Sequence, residues 1–436
     1  METLHTQKHA WLAVFILTLA NISSFIDRQI LALLVKPIKR DLHLSDTEMS
    51  LLMGLSFALF YTIFGIFIGR LADLKSRRNI IMIGVGIWSV MTTLCAGIGN
   101  YMQFFLARMG VGVGESTLSP SAYSMIADLF PKNRLATATS VFTMGIFLGT
   151  GIATLIGASL VANLPTEGLV QIPVFGTIFP WQLIFIYVGL PGLLIVFLLF
   201  FIQEPHRKNV LLIAGKHSQL SISESLKIIF KHKKVYLLIC FSIACQALIN
   251  YGMNAWIPTF INRTYGWEIP RAGFFYGVVG SIAAISGALI GGALADKWTK
   301  NGILDGRLRV SVIGLILGII GFMGPLMPRP ELAIFCLAIP IFGLAMPFGA
   351  ATVAIQEIMP NQVRATASSI MLFIINLVGM GLGPLLVALL TDVVFKDESM
   401  IRYSLMLLFI IGGSIGLVLS LLVLKPYKQI MENINA

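Results

Sequence analysis

The chain has 436 residues, 57% of them hydrophobic and only 12% charged, with a formal net charge of +11. A soluble chain is about a quarter charged, so this composition excludes an ordinary soluble enzyme and points to an integral membrane protein. The basic residues sit in short loops between apolar runs, not on one polar face, which argues against nucleic acid as a partner.

A helix needs about 20 apolar residues to cross the hydrocarbon core. Twelve segments qualify: 11–35, 49–72, 79–99, 101–129, 136–162, 180–202, 235–261, 272–296, 309–327, 331–359, 365–392 and 402–424. The first exceeds the roughly 7–15 residues of a signal-peptide core and reads as a membrane helix. Twelve spans put both termini on one side. The termini and the loops near 70–78, 132–134, 207–234, 297–309 and 364 hold 21 of the 31 Lys and Arg residues. The opposite loops hold eight, and Arg28 and Arg108 lie within spans. The positive-inside rule therefore predicts cytoplasmic termini, and short termini fit a bacterial inner membrane. Cys95, Cys240, Cys245 and Cys336 all lie in apolar runs without metal-site spacing, so no metal or cofactor is expected.

Residues 203–234 form the long cytoplasmic connection, and "SISESLKIIFKHKK" within it reads as an amphipathic surface helix. It separates an amino-terminal six-span domain, 1–202, from a carboxy-terminal one, 235–436. The halves repeat each other. "DLFPKNRLATATS" (128–140) answers "EIMPNQVRATASS" (357–369), pairing Asp128 with Glu357. "GRLADLKSRR" (69–78) answers "GALADKWTKN" (292–301), pairing Asp73 with Asp296. Two repeated bundles are the plan of a rocking transporter with a site near the midplane.

Four ionisable groups lie in the body of the spans: Asp27, Arg28, Arg108 and Glu115. A charge at the bilayer centre costs about 2.5–3.5 kcal/mol on insertion scales, and more by other measures. Asp27 and Glu115 fall near the midplane at about 1.5 Å of rise per residue. Arg108, Glu115 and Ser119 share one helical face, so the fourth span carries one polar stripe. Asp27 and Arg28, being adjacent, point about 100° apart. We expect Arg28 and Glu115 to pair, and an anionic headgroup to compete with Glu115 for Arg28, whose planar fork suits phosphate. Asp27 and Glu115 are then the proton-coupling carboxylates, with Arg28, Glu115 and Ser119 at the headgroup; Arg108 reads as structural. The second half has no mid-span charge. It offers Asn250, Tyr251, Asn254, Trp256 and Asn376 as a weaker substrate-cavity wall, with Phe274, Phe275 and Tyr276 nearby.

These motifs resemble the major facilitator superfamily. "GRLADLKSRR" is similar to its signature loop between the second and third helices, although Leu74 stands where a basic residue is usual and Ser76 where a second Gly is usual. The resemblance implies an all-α fold of twelve transmembrane helices in two pseudo-symmetric six-helix bundles. It also implies a gating network of Asp73, Arg77, Arg78 and Asp128, with Asp296, Lys297 and Glu357 as a weaker copy. More narrowly, "FIDRQ" (25–29) and "RMGVGVGESTLSPSAYSMIADLFPKNRLATATSVF" (108–142) resemble the Spinster family. That resemblance implies an amphiphilic lipid substrate, such as a lysophospholipid or sphingoid phosphate, moved by alternating access with protons. The alternatives are a proton-coupled transporter of small organic anions such as sugar acids, or drug efflux. No nucleophile elbow, phosphate-binding Gly loop or Walker motif supports an enzyme or an ATP-driven pump. The expected partners are substrate, protons and the bilayer, with the chain acting as a monomer.

Overall fold

The structure is a computed structural model and describes residues 2–130, 132–163, 165, 168–172, 176–205, 222–347, 349–360 and 363–435. Apart from one small hairpin its regular elements are helical. In a bilayer every backbone N–H and C=O must be satisfied within the chain, and a helix does this locally. The chain divides into two compact units. The first comprises Met1–Val210 with Glu268–Gly277, the second Leu211–Trp267 with Val278–Ala436.

In the first unit α1 is Glu2–Leu42. A helical turn Asp46–Ser50 and a π-helical turn Leu51–Leu55 lead into α2, Ser56–Leu74. Ser45 starts this segment with a reciprocal cap, accepting from the Glu48 N–H while Glu48 accepts from the Ser45 N–H. Then follow α3 (Arg77–Leu94), α4 (Tyr101–Glu115), α5 (Leu118–Leu129) and α6 (Lys132–Asn163). An antiparallel hairpin, β1 (Val170–Ile172) with β2 (Gly176–Ile178), pairs Val170 with Ile178. Helix α7, Gln182–Leu199, closes the unit.

In the second unit α8 (Ile222–Ile229) buries Ser225 and Ile229 and exposes Glu224 and Lys227. The rest of the basic linker, 206–221, lies outside the described residues. Next come α9 (Lys233–Tyr265), α10 (Ile269–Lys300), whose first turns group with the first unit, α11 (Gly306–Ile320), α12 (Pro330–Ala345) and α13 (Ala350–Ile358). Helix α14, Arg364–Ile375, passes through a π-helical stretch, Asn376–Leu382, into α15, Gly383–Leu389. The last helix, α16, is Ile401–Asn435.

Among the described residues ten helices are long and apolar enough to cross a membrane. The two other expected segments are present but differ in form. Segment 101–129 is broken at Ser116–Thr117 into α4 and α5, and the apolar part of α6 is limited to Val141–Leu155. Large apolar side chains such as Phe67, Leu194, Leu289 and Phe335 are about two-thirds exposed or more, as a lipid-facing belt requires.

Glycines set the close packing, and the repeat reuses them. A Cβ on Gly114 of α4 would lie 2.7 Å from the Gly84 carbonyl and the Trp88 N–H of α3. In the second unit Gly343 of α12 and Gly314 of α11 make the matching approach. Both pairs are small residues through which helices touch backbone to backbone. A Cβ on Gly112 would likewise meet the Phe57 carbonyl of α2 at 2.7 Å. Gly110 differs, because its Cβ would meet only the flexible Met91 side chain. Gly114→Ala is therefore expected to destabilise by about 1–3 kcal/mol, while Gly110→Ala stays near wild type. Thermal unfolding in detergent reads the difference, and equal shifts for the two variants would contradict this packing account.

Candidate functional site

The close approach at Gly112 and Gly114 carries Glu115, the last residue of α4, into the interior of the first unit, where it is 1% exposed. Arg28 of α1 reaches it, with Nε donating to Glu115 Oε2 at 2.7 Å. Ser24, one turn earlier on α1, donates to the same oxygen at 2.5 Å. The Arg28 guanidinium carbon also lies 4.8, 4.6 and 4.7 Å from the ring centroids of Phe25, Phe57 and Tyr61. An arginine among aromatic faces keeps its in-plane N–H groups for an acceptor while its charge is stabilised from above and below.

Asp27 faces elsewhere, as adjacent helical residues must. It is 2% exposed and accepts from Thr92 Oγ1 of α3 at 2.5 Å. Glu115, Arg108 and Arg28 are all within its electrostatic reach. Arg108 is 1% exposed, with its guanidinium 5.5 Å from the Phe57 ring. Among the described residues Asp27 Oδ1, Glu115 Oε1 and Arg108 Nε are buried without a hydrogen-bond partner. Each carboxylate thus has one oxygen engaged and one open to a proton or a ligand.

The break at Ser116–Thr117 alters the expected polar stripe. Ser119 is half-buried on α5, and the hydroxyl on Glu115 is that of Ser24 instead. In the second unit Asn254 Nδ2 donates to Asn250 Oδ1 at 2.5 Å. Asn250, Tyr251, Asn254 and Asn376 are half-buried, and Asn376 opens the π-helical stretch. Trp256 is fully buried, and its indole N–H donates to the Pro384 carbonyl at 3.0 Å. Gln246, one turn before Asn250 and overlooked in the sequence, is 3% exposed with both amide atoms unpaired among the described residues.

A second charge cluster forms at the start of α3. Arg77 Nη1 donates to Asp128 Oδ2 at 2.5 Å and to the Ser124 carbonyl and hydroxyl at 3.1 and 3.0 Å. Its Nε donates to Glu204 Oε1 at 2.9 Å and its Nη2 to the Pro205 carbonyl at 3.0 Å. Glu204 also accepts from Ser76 Oγ and the Arg78 N–H, at 2.9 and 2.8 Å. Arg78 donates to the Ile202 carbonyl. The Asp73 side chain lies outside the described residues. The second unit repeats the cluster with Arg307, whose Nε donates to Glu357 Oε1 at 2.9 Å and whose Nη1 is 3.6 Å from Asp296. Tyr427 of α16 donates to the other Glu357 oxygen at 2.8 Å. The basic partner of Asp296 and Glu357 is thus Arg307 and not Lys297. Its match is Arg77, at nearly the offset that pairs Asp128 with Glu357. Among the described residues no three His, Cys, Asp or Glu side chains gather as a metal site.

The Major Facilitator Superfamily family model matches residues 17–384. An MFS-type efflux pump of Mycolicibacterium smegmatis is 26% identical over 91% of this chain and 89% of its own. The hexuronate transporter of Bacillus subtilis is 23% identical over 87% of each. The crystal structure of a bacterial homologue of the human lysosomal transporter Spinster superposes with a TM-score of 0.76 at 24% identity, over 97% of both chains. At that identity the superposition speaks for the fold.

Burial alone would raise the Glu204 carboxyl, but the Arg78 N–H, the Arg77 guanidinium and the Ser76 hydroxyl outweigh it and hold the group below its ordinary value of 4.5. A pKa lowered by folding adds stability above the unfolded value and loses it as pH falls through the folded one. Wild type is therefore expected to melt higher than Glu204→Gln at neutral pH, with the gap closing as pH drops below about 4.5. A gap that persists or widens in acid would contradict this reading of the cluster.

Proposed function

The chain belongs to the Major Facilitator Superfamily and is a membrane transporter; we propose that it moves an amphiphilic anionic or zwitterionic lipid, such as a lysophospholipid or sphingoid phosphate, coupled to protons by alternating access. The observation that carries this reading is the Arg28–Glu115 pair, in which Glu115 is buried and the Arg28 side chain is 14% exposed. An arginine in a low-dielectric setting, held by one carboxylate oxygen, offers an anion a partner worth competing for. When the anion takes Arg28, Glu115 is left without its cationic partner, and a proton replaces that partner there. Ser24 Oγ stays beside it and can turn from donor to acceptor. Asp27, tied to Thr92 with one oxygen open, is the second proton-bearing group. The resemblance of "FIDRQ" and of residues 108–142 to the Spinster family supports the lipid reading.

In this reading Arg77, Arg78, Asp128 and Glu204, and in the second unit Asp296, Arg307, Glu357 and Tyr427, are gate residues that brace the ends of helices and do not touch substrate. In this reading both termini face the cytoplasm of a bacterial inner membrane, which the excess of Lys and Arg in the alternate loops supports. Residues 1–202 and 235–436 act as the two moving bundles of a monomer, joined by 203–234. A second reading, transport of a small organic anion, draws on the hexuronate transporter's similarity. It uses the same arginine and differs in needing no acyl chain.

Proton flux into proteoliposomes, followed by an internal pH dye, separates the two. Addition of a lysophospholipid is expected to drive flux in wild type. Arg28→Ala and Glu115→Gln should lower it by about tenfold or more, the effect of losing a hydrogen-bonded charge partner of 1.5–3 kcal/mol; Asp27→Asn should lower it too. Flux with a sugar acid alone would select the second reading. Substrate uptake without proton flux, equal in all variants, would remove the coupling.

A further inference from the structure

Phe57 of α2 carries two cations. The Arg28 guanidinium carbon lies 4.6 Å from its ring centroid and that of Arg108 lies 5.5 Å away. The ring is 1% exposed and stacks on Tyr61 with centroids 5.3 Å apart and planes 20° from parallel. Its backbone carbonyl is pressed against Gly112 of α4, so the ring keeps its place relative to Arg108 and Glu115 on that helix. Two like charges gathered in a low-dielectric interior repel strongly. The negative face of an aromatic ring offsets part of that repulsion, and a side chain of the same volume without a quadrupole does not.

Both arginines act on Asp27 through space, but they bond differently. Arg28 is bonded to Glu115, while Arg108 has its Nε unpaired among the described residues. The groups facing Asp27 are Thr92 and Cys95 at the end of α3, Glu115 and Arg108 from α4, and Arg28 beside it on α1.

We propose that Phe57 is a positioning residue that holds both guanidinium groups on one ring, so that drawing Arg28 toward an anion alters the field of Arg108 at Asp27. The ring thereby links anion binding at one carboxylate to proton occupancy at the other. This rests on the reading of Arg28 as the anion-binding group, and it adds a residue that the charge pattern does not show.

The test is a series at position 57 in which the ring carries none, one, two or three fluorines, introduced by nonsense suppression. Fluorination empties the ring face stepwise and nearly preserves its shape. Proteoliposomes receive lysophosphatidylglycerol or a hexuronate as the probe anion. Half-saturation and protons moved per anion are measured with whichever drives flux in wild type. Half-saturation is expected to climb along the series, reaching about five- to tenfold for the trifluoro ring, while protons per anion fall. Phe57→Trp should stay near wild type, and Phe57→Leu should match or exceed the trifluoro loss. A flat fluorine series beside an impaired Phe57→Leu shows that the ring only fills space, and overturns the proposal. Rising half-saturation with an unchanged proton count overturns the link to Asp27. Arg28→Ala run in parallel keeps the two claims apart: flux unaffected by that change removes the anion-binding reading itself, and this proposal with it.

Discussion

The first unit is organised around one unfavourable act, placing an arginine and a glutamate inside a membrane helix bundle. The effective penalty of removing such ions from water is several kcal/mol each, and it is recovered only when geometry is good and the remaining polar atoms find partners. Here the partners come from several elements. Arg28 and Ser24 of α1 converge on one oxygen of Glu115, and three aromatic rings surround the guanidinium. Only a bundle packed tightly enough to bring α1, α2 and α4 together can supply them all. The glycines of "GVGES" make that packing possible, because Gly112 and Gly114 let backbones touch where any side chain would push them apart.

The repeat separates features that both halves share from those that only one carries. Arg77 with Asp128 and Arg307 with Glu357 occupy matching places, as do the glycine pairs Gly84–Gly114 and Gly314–Gly343. Features present in both halves are those that each bundle needs to hold its helix ends together. The mid-span charges are not repeated. The offset that pairs Asp73 with Asp296 sets Asn250 and Tyr251 opposite Asp27 and Arg28, and the offset that pairs Asp128 with Glu357 sets Leu344 opposite Glu115. Among the described residues the mid-span charges lie in the first unit, and the second has Gln246, Asn250 and Asn254 in place of charges.

Much of this was legible in the sequence, for identifiable reasons. Apolar runs of membrane length reveal helices without any tertiary information, and the internal repeat reveals two bundles. The adjacency of Asp27 and Arg28 makes them face different neighbours through helical geometry alone. What stayed hidden depends on contacts between helices. Ser24 and Thr92 look like ordinary small polar residues until the fold sets them on Glu115 and Asp27. Phe57 and Tyr61 are lost among 29 phenylalanines and 10 tyrosines. The extended loop before α11 concealed Arg307, because the alignment that pairs Asp73 with Asp296, extended without a gap, sets Lys300 opposite Arg77. The interruption at Ser116–Thr117 left no mark in hydropathy, since both sides are apolar and helical. Sequence cannot show that the Trp256 indole N–H is spent on the Pro384 carbonyl.

The central claim is that an anion and a proton exchange places at Arg28 and Glu115. Infrared difference spectroscopy on purified protein tests it most directly, recording the carboxyl region as lysophosphatidylglycerol or a hexuronate is added. The account predicts a new protonated-carboxyl band on anion binding that is absent from Glu115→Gln. Anion binding to wild type with no such band, or with the same band in Glu115→Gln, would contradict it.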